Sequence, residues 1–209
     1  MAGDAMNDSL ALANADCRLR VDAARGGRIA SLCVYGEELL VGAGDDTLAW
    51  GSYPLAPWAG RLRQGRFCFE GREYRMPCNS GPHAMHGTVF TRRWQRVAAD
   101  TLRIELQPGW PFDGFAVQRF VLHDDGLDVQ LELHARTQAY PASAGFHPWF
   151  RRRLRRGAPL ALDFGAAQRV VLDSDGLPTG ALAPPDTATG DDCFIGLHRA
   201  PCLHWPGVL

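Results

Sequence analysis

The chain contains no lysine, because all 22 residues in its combined Lys and Arg count are arginine. Catalysis through a lysine Schiff base and phosphate binding by a P-loop lysine are therefore excluded. Cysteine pairs with C-x-x-C spacing are also absent, since the six cysteines are dispersed along the chain. This dispersion argues against a compact zinc site or a redox motif, so buried free thiols are expected and neither a metal nor another cofactor is predicted.

Positive charge is missing from the N-terminus, where "MAGDAMNDSLALANADC" carries acids around a short apolar stretch, unlike a signal peptide. No run approaches the roughly 20 apolar residues of a membrane-spanning helix. A net charge of -1 gives no general attraction to polyanions, and the arginine run at 151–156 is interpreted as a solvated strand end or loop. These features predict a cytoplasmic protein without a membrane or nucleic-acid partner, and residues 1–14 are expected to be flexible.

Helical periodicity is scarce, whereas short alternating runs bounded by Gly, Pro, Asp and Asn recur along the 209 residues. In "LDVQLELHA", residues 127–135, every second residue is apolar, which predicts a strand with one buried face. Glycine-containing turns at 124–126, at 70–71 and at residue 36 predict three hairpins. We therefore expect an all-β fold of the sandwich or barrel type, with residues 1–209 in a single domain.

Three stretches break this alternation and combine Pro and Gly with His, Arg and Trp: "YPLAPWAGRLRQG", "PCNSGPHAMHGTVFTRRW" and "YPASAGFHPWFRRR". Ordered loops of this composition are where a rigid β scaffold can hold a site. In the first stretch, two interpretations of Arg61 stay open. Its planar donors suit a polyhydroxyl ligand, or its side chain lies over Trp58 at the surface.

The histidines of the other two stretches are candidates for binding or proton transfer. His83 and His86 have H-x-x-H spacing, but a loop rich in Gly and Pro does not fix both on one face, so a metal site is not predicted. His86 precedes Gly87, which lets a ligand approach the backbone closely. His147, in "GFHPWF", is either a packing residue or a general acid or base whose pKa its aromatic surroundings bring near neutrality.

Taken in chain order, five motifs resemble those of the aldose 1-epimerase, or galactose mutarotase-like, family. They extend over residues 52–194 and comprise the arginine in "APWAGRLRQGRFCFEGREYRMPCN", the histidine in "HAMHG", then "GFHPWF", "GLPTG" and "DDCF". The resemblance implies a large antiparallel β-sandwich. It also implies cofactor-free interconversion of the α and β anomers of a free aldohexose such as galactose or glucose. In that reaction a base removes the proton of the anomeric hydroxyl while an acid protonates the ring oxygen.

The resemblance assigns roles to four residues of this sequence. Arg61 matches an arginine that binds sugar hydroxyls or the ring oxygen, and His86 matches a histidine that helps to hold the ring oxygen. His147 matches the general acid. Asp191 matches an aspartate that binds sugar hydroxyls, with Asp192 as the alternative in register. The predicted catalytic residues are therefore His147 and His86, and the predicted substrate-binding residues are Arg61, His86 and Asp191.

One residue of the family pattern has no match in this sequence. The family's general base is a glutamate near the C-terminus, whereas the last glutamate here is Glu132, which precedes His147. We therefore expect a C-terminally shortened fold that lacks an efficient base, with exposed sheet edges that a homo-oligomer would cover. The alternatives are a non-catalytic carbohydrate-binding or sensing module, and a hexose-phosphate epimerase-like protein in which Arg92 and Arg93 meet the phosphate.

Overall fold

A computed structural model of the protein describes residues 9–186 and 192–208. These residues form strands joined by loops and one 3₁₀ turn (Arg63–Gly65), with no α-helix among them. The chain divides into two compact units, the first ending at Arg151 and the second beginning at Arg152. The strands are β1 (Ser9–Ala13), β2 (Cys17–Asp22), β3 (Arg28–Val34), β4 (Glu37–Glu38), β5 (Ser52–Leu55), β6 (Arg61–Leu62), β7 (Arg66–Phe69), β8 (Arg72–Arg75), β9 (Ala84–Met85), β10 (Gln95–Ala98), β11 (Thr101–Glu105), β12 (Gly114–Leu122), β13 (Leu127–Ala135), β14 (Gly145–Pro148), β15 (Ala161–Leu172), β16 (Pro178–Ala183) and β17 (Cys193–His204).

The first unit contains a sheet with the strand order β1-β2-β3-β5-β14, and β4 pairs with β3 beside this path. All of its strand pairs are antiparallel. Side chains alternate between the two faces of β2: Leu19 and Val21 are buried, whereas Arg18 and Arg20, each one residue earlier, are exposed. Strand β1 lies within the N-terminal segment that the sequence predicted to be flexible, yet its Leu10 is completely buried.

A second sheet of the first unit has the order β10-β11-β12-β13. Strands β12 and β13 pair over nine residues around the turn at 124–126, and β7 pairs with β8 around the turn at 70–71. The shorter hairpin of β3 and β4 encloses Gly36. All three predicted hairpins are therefore confirmed. The alternation predicted for residues 127–135 holds over residues 127–133, but His134 is half-buried and Ala135 is exposed, the reverse of the prediction.

Apolar side chains from both sheets meet in one core, so the first unit is a sandwich of two sheets. The inner face of the first sheet contributes Leu19 and Val21, and that of the second contributes Leu102, Ala116 and Phe120. The loops and small hairpins close the core with aromatic rings, including Trp58, Trp94, Trp110 and Phe112. The predicted all-β antiparallel fold is thereby confirmed.

The second unit is a three-stranded antiparallel sheet with the order β16-β15-β17. Register shifts interrupt the long pairing of β15 with β17 near Gly165. Trp205 and Leu177 are buried, whereas Leu162 and Leu197 are more than half exposed. Within residues 9–186 and 192–208, no helix is long and apolar enough to cross a membrane.

Candidate functional site

His147 lies on β14 and faces Tyr53 on the neighbouring strand. The register of β14 and β5 places the two residues directly opposite each other. Their rings are nearly parallel, with centroids 5.0 Å apart and an interplanar angle of 6°. Residues directly opposite on antiparallel strands share one face of the sheet, which is why a single register brings these two rings together.

Trp149 provides a second ring against the same imidazole. It follows His147 by two residues and therefore lies on the same side of the chain, with ring centroids 5.6 Å apart and planes 21° from parallel. The Trp149 backbone N–H donates to the Gly51 carbonyl, which extends the pairing of the two strands. The imidazole of His147 is thus partly buried in an aromatic environment, as the sequence predicted.

His86 reaches the site from the loop after β9. Its backbone has a φ of 65°, an unusual conformation for a residue with a side chain, and Gly87 follows at 79°. The Gly60 N–H donates to His86 Nδ1 over 3.3 Å, and the His86 N–H donates to the Gly60 carbonyl over 2.9 Å. Because Nδ1 accepts a hydrogen bond, the neutral imidazole carries its proton on Nε2.

The imidazoles of His86 and His147 are in edge-to-face contact. The centroids of His86 and His147 are 5.4 Å apart, and their planes meet at 65°. Tyr53 also lies beside His86, with ring centroids 6.5 Å apart. Such a pair offers two nitrogen groups that can donate or accept protons at one small ligand, next to aromatic surface that limits the access of water.

Residues adjacent to Arg61 connect its loop to His86. It begins β6, opposite Met85 of β9, and its side chain is exposed. Gly60, which precedes it, holds His86 through the two hydrogen bonds described above. The structure therefore brings the Arg61 loop and the His86 loop together, so three of the four residues assigned by resemblance belong to one region of the first unit.

The fourth predicted residue, Asp191, lies outside the described residues. Its alternative in register, Asp192, belongs to the second unit and lies 3.8 Å from an Arg169 guanidinium nitrogen. The other member of the H-x-x-H pair, His83, is buried, and its Nδ1 accepts a hydrogen bond from the Gln64 N–H over 3.1 Å. Among residues 9–186 and 192–208, no group of three His, Cys, Asp or Glu side chains could hold a metal ion.

The sequence did not indicate two residues of this site, Tyr53 and Arg28. Arg28 on β3 is 1% exposed, and its guanidinium lies 4.9 Å from the centroid of the Tyr53 ring. Burial lowers the pKa of Arg28, although arginine remains charged at physiological pH. Burial raises the pKa of Tyr53, against the opposing effects of the Trp149 side chain and the Arg28 charge. No local motif marks either residue, because strand register alone brings them to His147.

A family model described as aldose 1-epimerase matches residues 9–192. Two Escherichia coli K12 proteins, both named as uncharacterised, also resemble the chain. YihR is 30% identical over 135 residues, which cover 60% of this chain and 44% of YihR. YphB is 32% identical over 104 residues, which cover 47% of this chain and 36% of YphB. The chain thus spans less than half the length of either relative.

Solved structures of similar fold cover most of this chain and about two thirds of their own length. A putative aldose 1-epimerase from Escherichia coli K12 has a TM-score of 0.72 at 23% identity, covering 90% of this chain and 66% of that one. An aldose epimerase homologue from C. elegans has a TM-score of 0.71 at 22% identity, covering 91% and 65%. The family match includes Arg61, His86 and His147, and the solved structures share its fold, so the chain belongs to the aldose 1-epimerase family.

Proposed function

We propose that the site binds a free aldohexose, such as galactose or glucose, and interconverts its α and β anomers. The observation that carries this proposal is the adjacent pair of imidazoles, His86 and His147, which are in edge-to-face contact with centroids 5.4 Å apart. Family membership supports the same reaction class. A galactose 1-epimerase from Lactobacillus acidophilus has a similar fold, with a TM-score of 0.68 at 19% identity, covering 90% of this chain and 61% of that one.

In the proposed mechanism His147 is the general acid and His86 holds the ring oxygen. Neutral His86 carries its proton on Nε2, so it can donate a hydrogen bond to that oxygen. His147 gives a proton to the ring oxygen as the bond between C1 and this oxygen breaks, and the anomeric hydroxyl loses its proton to a base. The resulting aldehyde rotates about its C1–C2 bond and closes on the other face, which reverses both proton transfers.

No residue of this sequence matches the general base that the mechanism requires. The last glutamate of the sequence, Glu132, lies on β13, and its carboxylate is 2.9 Å from His134 Nε2. It is therefore engaged elsewhere in the second sheet of the first unit. General base catalysis contributes about 10²- to 10⁴-fold, so the group that accepts this proton is required for rapid mutarotation.

A second candidate function is a non-catalytic module that binds or senses carbohydrate, in which the same imidazoles bind the sugar without a base. A third candidate, a hexose-phosphate epimerase-like protein, receives less support. Arg92 donates to the carbonyls of Leu106 and Gln107 over 3.1 and 2.8 Å, so two of its guanidinium nitrogens are engaged in hydrogen bonds within the protein. Competition between hexose 6-phosphate and free hexose for binding separates these two ligands.

Polarimetry of freshly dissolved α-D-glucose and α-D-galactose tests the proposal. We expect the protein to accelerate mutarotation above the buffer rate, and we expect His147→Ala to remove most of the acceleration. His123→Ala is a suitable control, because that side chain is 47% exposed and pairs with Asp128. Isothermal titration calorimetry of the same sugars measures binding independently of turnover.

Two outcomes would overturn the enzymatic proposal. A rate equal to that of buffer, together with measurable sugar binding, would leave the carbohydrate-binding module. An accelerated rate that His147→Ala does not change would remove His147 as the acid. Three further statements stay predictions: a cytoplasmic location, a homo-oligomeric state and a single domain over residues 1–209. Sedimentation analysis checks the oligomeric state.

A further inference from the structure

A row of polar and aromatic side chains crosses the first sheet beneath the site. Strand β5 lies between β3 and β14. The pairing of Ile29 with Ser52 places Arg28 opposite Tyr53, and Tyr53 is paired with His147. On the other side, Arg28 is paired with Asp22 of β2. Directly paired residues share a face, so the four side chains stand side by side on four successive strands.

Arg28 is held rigidly at its place in this row. Its side chain is 1% exposed, and its guanidinium lies 4.2 Å from the centroid of the Trp50 ring. It donates four hydrogen bonds of 2.9 to 3.2 Å to backbone carbonyls, those of Arg25, Thr47, Trp50 and Phe90. A buried cation with this many fixed acceptors cannot be moved without leaving carbonyls unpaired, so it forms a firm support for the next ring in the row.

Tyr53 packs between the Arg28 guanidinium and the His147 imidazole. Its ring is 1% exposed, and its centroid lies 4.9 Å from the Arg28 guanidinium carbon and 5.0 Å from the His147 centroid. Phe90 packs against it as well, with ring centroids 5.5 Å apart. The Tyr53 and His147 planes differ by only 6°, so the tyrosine ring packs flat against the imidazole, which the Trp149 ring also contacts.

We propose that Arg28 and Tyr53 are positioning residues for His147, which fix the plane of its imidazole and promote release of its proton. The inference deepens the proposed function, since it rests on His147 as the general acid of the same site. Arg28 and Tyr53 do not touch the sugar. Their effect is exerted through the imidazole, whose orientation sets the line along which the proton reaches the ring oxygen.

The charge of Arg28 supplies the second part of this effect. The guanidinium carbon lies 4.9 Å from the Tyr53 centroid, and this centroid lies 5.0 Å from that of His147, so the cation lies within about 10 Å of the imidazole. A cation at this distance disfavours the imidazolium and should favour release of the His147 proton. Among the described residues, the titratable and charged groups around His147 are Tyr53 and His86 in direct contact, with Arg28, Asp22 and Asp46 behind Tyr53.

Histidine-labelled protein allows the proposal to be tested by NMR without reference to turnover. The ring proton of His147, assigned with a His147→Gln variant, is followed from pH 4 to 9. In Arg28→Met we expect the titration of His147 to move to higher pH, because a nearby positive charge is removed, whereas Arg28→Lys keeps the charge and should reproduce most of the wild-type titration. In Tyr53→Leu we expect the upfield ring-current shift of His147 to decrease, since only the Trp149 ring still stacks on the imidazole, while Tyr53→Phe retains the wild-type shift.

Mutarotation kinetics give a second readout. We expect Tyr53→Leu to lower kcat about tenfold with KM within about twofold, because the proton donor is misaligned while the sugar contacts remain. The pH dependence of kcat/KM has a limb that reports the ionisation of His147, and we expect this limb to move to higher pH in Arg28→Met. Near-UV circular dichroism shows which variants are folded, and if Arg28→Met does not fold, the Tyr53 variants and Arg28→Lys still decide the question.

The second sheet of the first unit offers a matched control. His134 stacks on Phe115 with centroids 4.6 Å apart and planes 9° from parallel, and the Arg103 guanidinium lies 4.1 Å from the Phe115 centroid. Phe115→Leu should change the signal of His134 and leave His147 unaffected. A folded Tyr53→Leu with an unaltered His147 shift and titration would overturn the inference. If the wild-type protein shows no mutarotation, the proposed function fails, while the NMR titration still tests the positioning of His147.

Discussion

The conformation of His86 is the most demanding local feature of the site. His86 and Gly87 both have positive φ, and Gly87 forms an isolated bridge to Ala56. A Cβ at residue 87 would lie 1.8 Å from the Ala56 carbonyl oxygen, so no side chain fits there. The sequence showed only that Gly87 would allow a close approach to the backbone. In the structure the group that approaches Gly87 is the backbone of Ala56, and this contact holds His86 against the first sheet.

The substitution Gly87→Ala therefore has two expected effects. Backbone strain and the clash with Ala56 should lower the free energy of unfolding by about 2 to 3 kcal/mol, and displacement of His86 should reduce sugar binding. Urea denaturation and calorimetry measure the two effects. Gly71→Ala is the control: its φ is 76° but nothing lies within 4 Å of its Cβ, so strain alone should cost about 1 kcal/mol. Equal losses in both variants would contradict the role of the Ala56 contact.

At the scale of the elements, local alternation and turn residues carried most of the information. The hairpins around residues 36, 70–71 and 124–126 pair as predicted, because short-range turns fix the register of their strands. Strand β1 was not predicted, since its five residues form only a short apolar stretch within an N-terminus that carries acidic residues. It forms because Leu10 is completely buried in the core that both sheets share.

Packing between the sheets should dominate the stability of the first unit. Leu102 on β11 is completely buried in the shared core, so Leu102→Ala should lower the free energy of unfolding by about 2 to 5 kcal/mol. Val97→Ala on the neighbouring β10 is the control, because Val97 is 54% exposed and its truncation should change stability by no more than about 0.5 kcal/mol. Chemical denaturation of both variants checks the difference, and similar losses would contradict the assignment of the core.

At the scale of the whole molecule, buried groups that resist ionisation should make the protein sensitive to alkali. Burial raises the pKa values of Cys17, Tyr53 and Tyr140 above the ordinary values of 9.0 for the thiol and 10.0 for the phenols. The folded state binds these protons more tightly than the unfolded state does. Their contribution to stability is therefore complete below about pH 9 and decreases as the pH rises through the folded-state values.

Urea denaturation between pH 7 and pH 11 measures this dependence. We expect the free energy of unfolding to fall above about pH 9, and we expect a shallower fall in Tyr140→Phe, which removes one of the three groups. This variant also loses the hydrogen bond from the Tyr140 hydroxyl to the His134 carbonyl, an offset present at every pH. Tyr35→Phe, at a 68% exposed position, serves as the control. An unchanged slope in Tyr140→Phe would contradict the prediction.

The sequence by itself determined the fold class and three members of the candidate site. Alternation with period two specifies strands, turn residues specify hairpins, and the ordered motifs around Arg61, His86 and His147 identify the family. All three signals are local, so they can be read without knowing which strands become neighbours.

Only the tertiary structure decided what surrounds His147. Tyr53 and Arg28 reach it because β5 lies between β3 and β14, and strands far apart in sequence become neighbours only when the sheet assembles. Pairing across the sheet is set by the burial of whole faces, and a shift of one residue would turn Tyr53 away from the imidazole. The sequence thus identifies His147 as the proposed acid, whereas the strand register sets which rings surround its imidazole.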